Sequence, residues 1–167
     1  LAGESAAAVV MDTVTGDILA LGSAPTYDPN KFVHGISVAD YKALNEDPYR
    51  PLFNKSTSGL YPPGSTFKMA TVLAALEAEL ITPEEQINCV GFIELHDRRF
   101  HCWKRSGHGR TDLIKSLRES CDVYYYELAQ RVGIDRISEM GQRLGLGTRH
   151  DLPLTGIVGG VMPTKAW

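Results

Sequence analysis

Long apolar runs are missing from this sequence. Its hydrophobic stretches are short and broken, so no segment reads as a helix that could cross a membrane. A basic excess is missing as well. With 17 Lys and Arg against 20 Asp and Glu, the net charge of -3 gives no footprint for nucleic acid, and no run of like charges marks a solvated tail. Cysteine is scarce: three residues, an odd number, exclude a framework built from disulfides alone. No internal repeat is visible. What is present is ordinary for a globular chain, 43% hydrophobic and 22% charged over 167 residues, enough for one core and too few for two domains of usual size.

Residues 5–11 (SAAAVVM) and 17–21 (DILAL) are apolar runs flanking Asp12-Thr13-Val14-Thr15-Gly16, whose closing glycine suits a left-handed turn. That pattern predicts a β-hairpin. Residues 23–64 carry six prolines and read as loop, with one short helix over 38–45. After Pro62-Pro63-Gly64, the residues Met69, Val72, Leu73, Leu76 and Leu80 recur at helical steps and predict a helix over 65–80. Residues 86–110 read as extended and loop-like. Three further helices are predicted over 113–119, capped by Thr111-Asp112, over 123–132, closed by Gly133, and over 134–144. Two strands followed by helices describe an α+β chain whose hairpin lacks neighbouring strands. Its free edge is expected to be covered or to pair with another chain.

The chemistry centres on Ser65-Thr66-Phe67-Lys68. A serine hydroxyl is a weak nucleophile until a base takes its proton, and a lysine three residues on shares its helix face. A helix start beside the serine adds N–H groups and a positive field that favour an oxyanion. The bare motif is weak evidence: ten serines and seven lysines give about 0.4 chance pairs at this spacing. A capping serine with a solvated lysine is the competing reading.

The surrounding residues decide between them. The stretch Gly59-Leu60-Tyr61-Pro62-Pro63-Gly64-Ser65-Thr66-Phe67-Lys68 is similar to the nucleophile motif of class B penicillin-binding proteins. The hairpin, followed by Ser23-Ala24-Pro25-Thr26-Tyr27-Asp28-Pro29-Asn30, resembles the first strands of the same transpeptidase domain. Trp103-Lys104-Arg105-Ser106-Gly107-His108-Gly109 points to the penicillin-binding protein 2 branch. The resemblance implies a partial penicillin-binding transpeptidase (serine β-lactamase-like) fold, an N-terminal β-hairpin plus helical subdomain, over residues 1–167. It also implies that Ser120-Cys121-Asp122 stands at the family's second motif, with Ser120 bonding Lys68 and relaying the proton. Asp122 then replaces the family's amide and orients Lys68 rather than donating to substrate. The third motif, Lys-Thr-Gly, does not occur; the nearest sequences are Leu154-Thr155-Gly156 and Pro163-Thr164-Lys165. The later strand that carries it is therefore expected to be missing, and residues 1–167 alone are expected to be inactive.

Cys89, Cys102, His108 and Cys121 form a second candidate site, a zinc site of closed structural type. All the cysteines fall in one window of weak secondary structure, where three thiolates and an imidazole suit tetrahedral zinc. Cys121 lies inside the second motif, so a metal there would fix Ser120 and Asp122. The resemblance supports His108 as the nitrogen ligand, with His101 as the alternative. A Cys89–Cys102 disulfide with a buried, unpaired Cys121 is the rival arrangement.

The resemblance implies a peptidoglycan D,D-transpeptidase that acts through a serine acyl-enzyme on D-alanyl-D-alanine stem peptides and is acylated by β-lactams. It implies action with cell-elongation wall-synthesis proteins at the periplasmic face of a bacterial inner membrane, with the anchor outside this chain. A serine β-lactamase shares S-x-x-K, but the Pro-rich lead-in and Tyr27-Asp28-Pro29-Asn30 argue against it. A β-lactam sensor or scaffold domain is the reading from another class, and acylation without product release would mark it.

Overall fold

A computed structural model describes residues 3–167, in two compact units: residues 3–61 with Arg149–Gly159, and Pro62–Thr148 with Gly160–Trp167.

In the first unit β1 (Ala6–Met11) and β2 (Ile18–Ala24) pair antiparallel, Ala6 opposite Ala24 and Val10 opposite Ala20, with an irregularity between Val10 and Met11. The turn is built by Asp12, whose Oδ1 accepts the N–H groups of Val14 at 2.7 Å and Thr15 at 2.9 Å. Those donors, Thr15 first, hold the Asp12 carboxyl below its ordinary pKa. Gly16, at φ 79°, closes the loop in the left-handed region. Among the described residues no third strand joins this sheet. The expected 38–45 helix is α1 (Val38–Glu46), capped by Ser37 Oγ accepting from Asp40 N. Two short elements break the expected loop: a 3-10 turn, Pro29–Phe32, and α2 (Lys55–Ser58), which packs on both strands.

The second unit holds the candidate chemistry. A 3-10 turn (Gly64–Phe67) runs into α3 (Lys68–Glu77), so the expected 65–80 helix is a tighter turn followed by a shorter α-helix. Ala70, Ala74 and Ala75, each 4% exposed or less, give α3 a small-residue face against α5 (Asp122–Val132) and α6 (Ile134–Arg143). The helix α5 buries Tyr124 and Leu128 completely, one turn apart. Gly133, at φ 80°, stops it and opens α6.

Residues 86–110, expected as extended and loop-like, contain strands. Here β3 (Ile87–Cys89) pairs with β6 (Gly109–Thr111), and β4 (Phe92–Leu95) pairs with β5 (Arg98–His101), both antiparallel. Gly107 packs against the Cys89–Gly91 link between β3 and β4. At φ 79° it lies so close to Cys89 that a Cβ there would sit 2.2 Å from the Cys89 carbonyl oxygen. The helix α4 (Leu113–Arg118) follows, its first turn capped by Asp112 Oδ1 accepting from Lys115 N at 2.8 Å.

Candidate active site and thiol cluster

Pro63 and Gly64 force the chain into the 3-10 turn that presents Ser65, and Lys68 opens α3 immediately behind it. The contact between them runs through the second motif. Ser65 Oγ lies 2.8 Å from Ser120 Oγ, and Lys68 Nζ lies 2.9 Å from the same oxygen. Lys68 Nζ also reaches the Ser120 carbonyl at 2.9 Å and Asp122 Oδ1 at 2.7 Å. The lysine side chain is 12% exposed, and the Tyr125 ring stands 5.2 Å from its nitrogen. The second carboxylate oxygen of Asp122 accepts the main-chain N–H of Trp103 at 2.9 Å. Both oxygens are thus engaged by donors, and a carboxylate has no N–H to offer a substrate.

Ser120 occupies an unusual backbone position. Its φ is 51°, in the left-handed region. The N–H of Ser120 bonds the Leu117 carbonyl at 3.2 Å, and the N–H of Cys121 bonds the Ser116 carbonyl at 2.9 Å. These two bonds make a Schellman C-cap on α4, in which the left-handed position is usually glycine. A serine stands there instead, at a conformational cost of about 1–2 kcal/mol. Position 120 therefore carries strain at the point where the hydroxyls meet.

A second cluster backs this turn through Cys121, the residue after Ser120. The ligand atoms of Cys89, Cys102, His108 and Cys121 all lie within 4.8 Å of one another, and all four residues are buried. His108 Nδ1 is 3.4 Å from Cys102 Sγ and 3.6 Å from Cys89 Sγ. A tetrahedron with metal–sulfur bonds near ~2.3 Å and metal–nitrogen bonds near ~2.0 Å has sulfur–nitrogen edges of about 3.5 Å. The donor set thus fits a closed zinc site in size and in type. The three thiols are free, so the rival Cys89–Cys102 bridge is not formed. His101, the alternative nitrogen, stands apart: it lies exposed on β5, its ring against Phe92.

The surroundings favour a thiolate at Cys102 and a neutral imidazole, and disfavour a bare thiolate at Cys121. Burial raises the Cys102 thiol pKa, but the main-chain N–H groups of Lys104, Asp122 and Val123 outweigh it and bring the thiol below its ordinary value. Burial pushes Cys121 up to about 12. Burial, with help from Lys104, lowers the His108 imidazole. His108 Nε2 is buried with no hydrogen-bond partner, and the Glu119 carboxylate is 4.0 Å away. That leaves Nε2 to carry the proton while Nδ1 faces the sulfurs.

The structure brings Ser65, Lys68, Ser120 and Asp122 together, and likewise the four cluster residues. Sequence reasoning missed the parts played by Trp103, which meets Asp122 through its main chain, and by Glu119. The sequence places Glu119 beside the motif but carries no signal of its approach to His108.

The family model of the penicillin binding protein transpeptidase domain matches residues 6–167. The chain belongs to that family. It is 45% identical over 169 residues to peptidoglycan D,D-transpeptidase MrdA of Escherichia coli K12, covering 100% of this chain and 27% of the relative. The structure of Pseudomonas aeruginosa PBP2 in complex with WCK 5153 matches at a TM-score of 0.94 and 41% identity, over 99% of this chain and 38% of that one. Helicobacter pylori PBP2 in complex with MreC matches at 0.92 and 38%, over 96% and 30%. The chain therefore resembles penicillin-binding protein 2 throughout, and it spans about a quarter of the length of the MrdA relative.

Proposed function

We propose that this chain carries the nucleophile and proton relay of a peptidoglycan D,D-transpeptidase. The observation that carries the reading is the line Ser65 Oγ, Ser120 Oγ, Lys68 Nζ, with steps of 2.8 and 2.9 Å. When Lys68 is neutral, its two N–H bonds serve the Ser120 carbonyl and Asp122, and its lone pair accepts from the Ser120 hydroxyl. Ser120 in turn accepts from Ser65. Ser65 Oγ attacks the carbonyl of the penultimate D-alanine, and its proton moves to Ser120 as the Ser120 proton moves to Lys68. Asp122 stabilises the ammonium so formed. The C–N bond to the terminal D-alanine breaks, a proton returns along the same line to the leaving amine, and an ester remains on Ser65. The amine of a neighbouring stem peptide attacks that ester, forms the new peptide bond and restores the Ser65 hydroxyl. A β-lactam ring would open on the same oxygen.

Cys89, Cys102 and Cys121 through Sγ, and His108 through Nδ1, would hold a zinc ion. Bound, it would supply a four-way cross-link and no open coordination position. The chain's own part is to tie β3, the start of β6 and the second motif to one point, which keeps Ser120 and Asp122 in register.

Residues 1–167 contain no Lys-Thr-Gly, and this reading assigns activity to the longer protein; the chain alone is expected to label weakly or not at all with penicillin. The likeness to MrdA and to the PBP2–MreC complex supports work with cell-elongation proteins in the bacterial envelope; the reading places it at the periplasmic face of the inner membrane. The test is release of D-alanine and formation of cross-linked product from D-alanyl-D-alanine stem peptides by the full-length protein, with Ser65→Ala as control. Release that depends on Ser65 supports the reading. Acylation by penicillin without D-alanine release would make the protein a sensor instead.

A further inference from the structure

Trp103 is 63% exposed, so burial does not explain where its ring is held. Its hydrogen bonds do. Both of its donors serve the turn 119–122: the main-chain N–H goes to Asp122 Oδ2 at 2.9 Å, and the indole Nε1–H goes to the Glu119 carbonyl at 3.0 Å. Glu119 is the C-cap of α4, where carbonyls lose their helical partners, so the indole satisfies a group the helix leaves open. One residue therefore grips the turn 119–122 at both ends. Between the two grips sits Ser120 in its left-handed conformation, which persists only where the surroundings over-determine it. The ring edge meets His108 at a centroid distance of 5.4 Å, and the residue before Trp103 is Cys102, anchored by its N–H to the Gly91 carbonyl at 2.8 Å. The indole thus joins the thiol cluster to the catalytic turn.

We propose that Trp103 is a positioning residue that sets the Ser120 hydroxyl and the Asp122 carboxylate against Lys68. This rests on the proposed relay. It acts through hydrogen bonds, and the indole N–H is the part a side-chain change can remove. Trp103→Phe keeps an aromatic ring against His108 and keeps the main-chain N–H, while deleting the bond to Glu119. Ser120 is then freer to leave the relay line, and proton transfer slows while substrate binding does not.

The experiment measures stopped-flow acylation of the full-length protein by a fluorescent penicillin, separating the binding constant from the acylation rate. Melting temperature and zinc content are recorded on the same preparations. The expected result for Trp103→Phe is an acylation rate lower by about threefold to tenfold, the size of one lost hydrogen bond expressed in a transition state. The binding constant, zinc content and melting temperature should match wild type. An unchanged rate overturns the proposal. So does a loss carried by fewer active molecules, lost metal and a lower melting temperature at an unchanged rate, which would make Trp103 a residue of the fold. If the wild-type protein is not acylated at all, the proposed function fails and takes this inference with it.

Discussion

Ser120 separates stability from chemistry, because its backbone and its hydroxyl make opposite demands. At φ 51° any residue with a Cβ is strained by about 1–2 kcal/mol, whereas glycine is not. The hydroxyl joins Ser65 at 2.8 Å and Lys68 at 2.9 Å. Two substitutions remove that hydroxyl equally and differ in strain. Ser120→Ala keeps the Cβ; Ser120→Gly relieves it but returns about 0.4–1 kcal/mol through the freer unfolded chain. The glycine variant should therefore be the more stable of the two by about 1 kcal/mol. Both should acylate about 10²- to 10⁴-fold more slowly than wild type, the usual contribution of a positioned proton relay. Urea denaturation of the full-length protein measures the first difference, and stopped-flow acylation by a fluorescent penicillin measures the second. If the alanine variant is as stable as the glycine variant, the strain argument is wrong. If either acylates within about tenfold of wild type, Lys68 reaches Ser65 without Ser120.

Three further perturbations test separate parts of the account. Cys121→Ser replaces a thiolate by a weak ligand, so elemental analysis should show zinc falling from about one per chain toward none, with faster amide exchange over residues 86–111. Gly107→Ala places a Cβ 2.2 Å from the Cys89 carbonyl at a left-handed φ, and should cost about 2–4 kcal/mol in a denaturant melt. Tyr124 is wholly buried, its hydroxyl has no partner and its pKa is pushed up to about 12 by that burial. Tyr124→Phe should accordingly be neutral or stabilising by about 1 kcal/mol, and a clear loss of stability would mean the hydroxyl is satisfied.

What could be read in advance follows from how local each signal is. The hairpin was legible because Asp12 and Gly16 encode its turn by themselves. The helices α4, α5 and α6 were legible because Asp112, Gly133 and the apolar spacing mark their ends and buried faces. The four short strands were not: β3 and β6 have three residues each, too few to establish a period, and β5 is exposed throughout. Ser65 opened an expected α-helix, whereas Pro63 and Gly64 tighten that first turn to 3-10. The left-handed Ser120 was hidden because its usual marker, glycine, is absent. The scarcity of cysteine exposed the cluster by inventory, but spacing left His101 and His108 open, and only packing separates them. Trp103 gave no sign in sequence of its bond to Asp122, since a main-chain donor carries no side-chain code.

Ser65 is the residue expected to be acylated, served by Ser120 and Lys68. Peptide mapping by mass spectrometry, after incubating the full-length protein with a penicillin, tests it most directly. One penicilloyl adduct per chain is expected, on the peptide containing Ser65, lost in Ser65→Ala and formed much more slowly in Ser120→Ala. An adduct on any other residue, or one that survives Ser65→Ala, would contradict it.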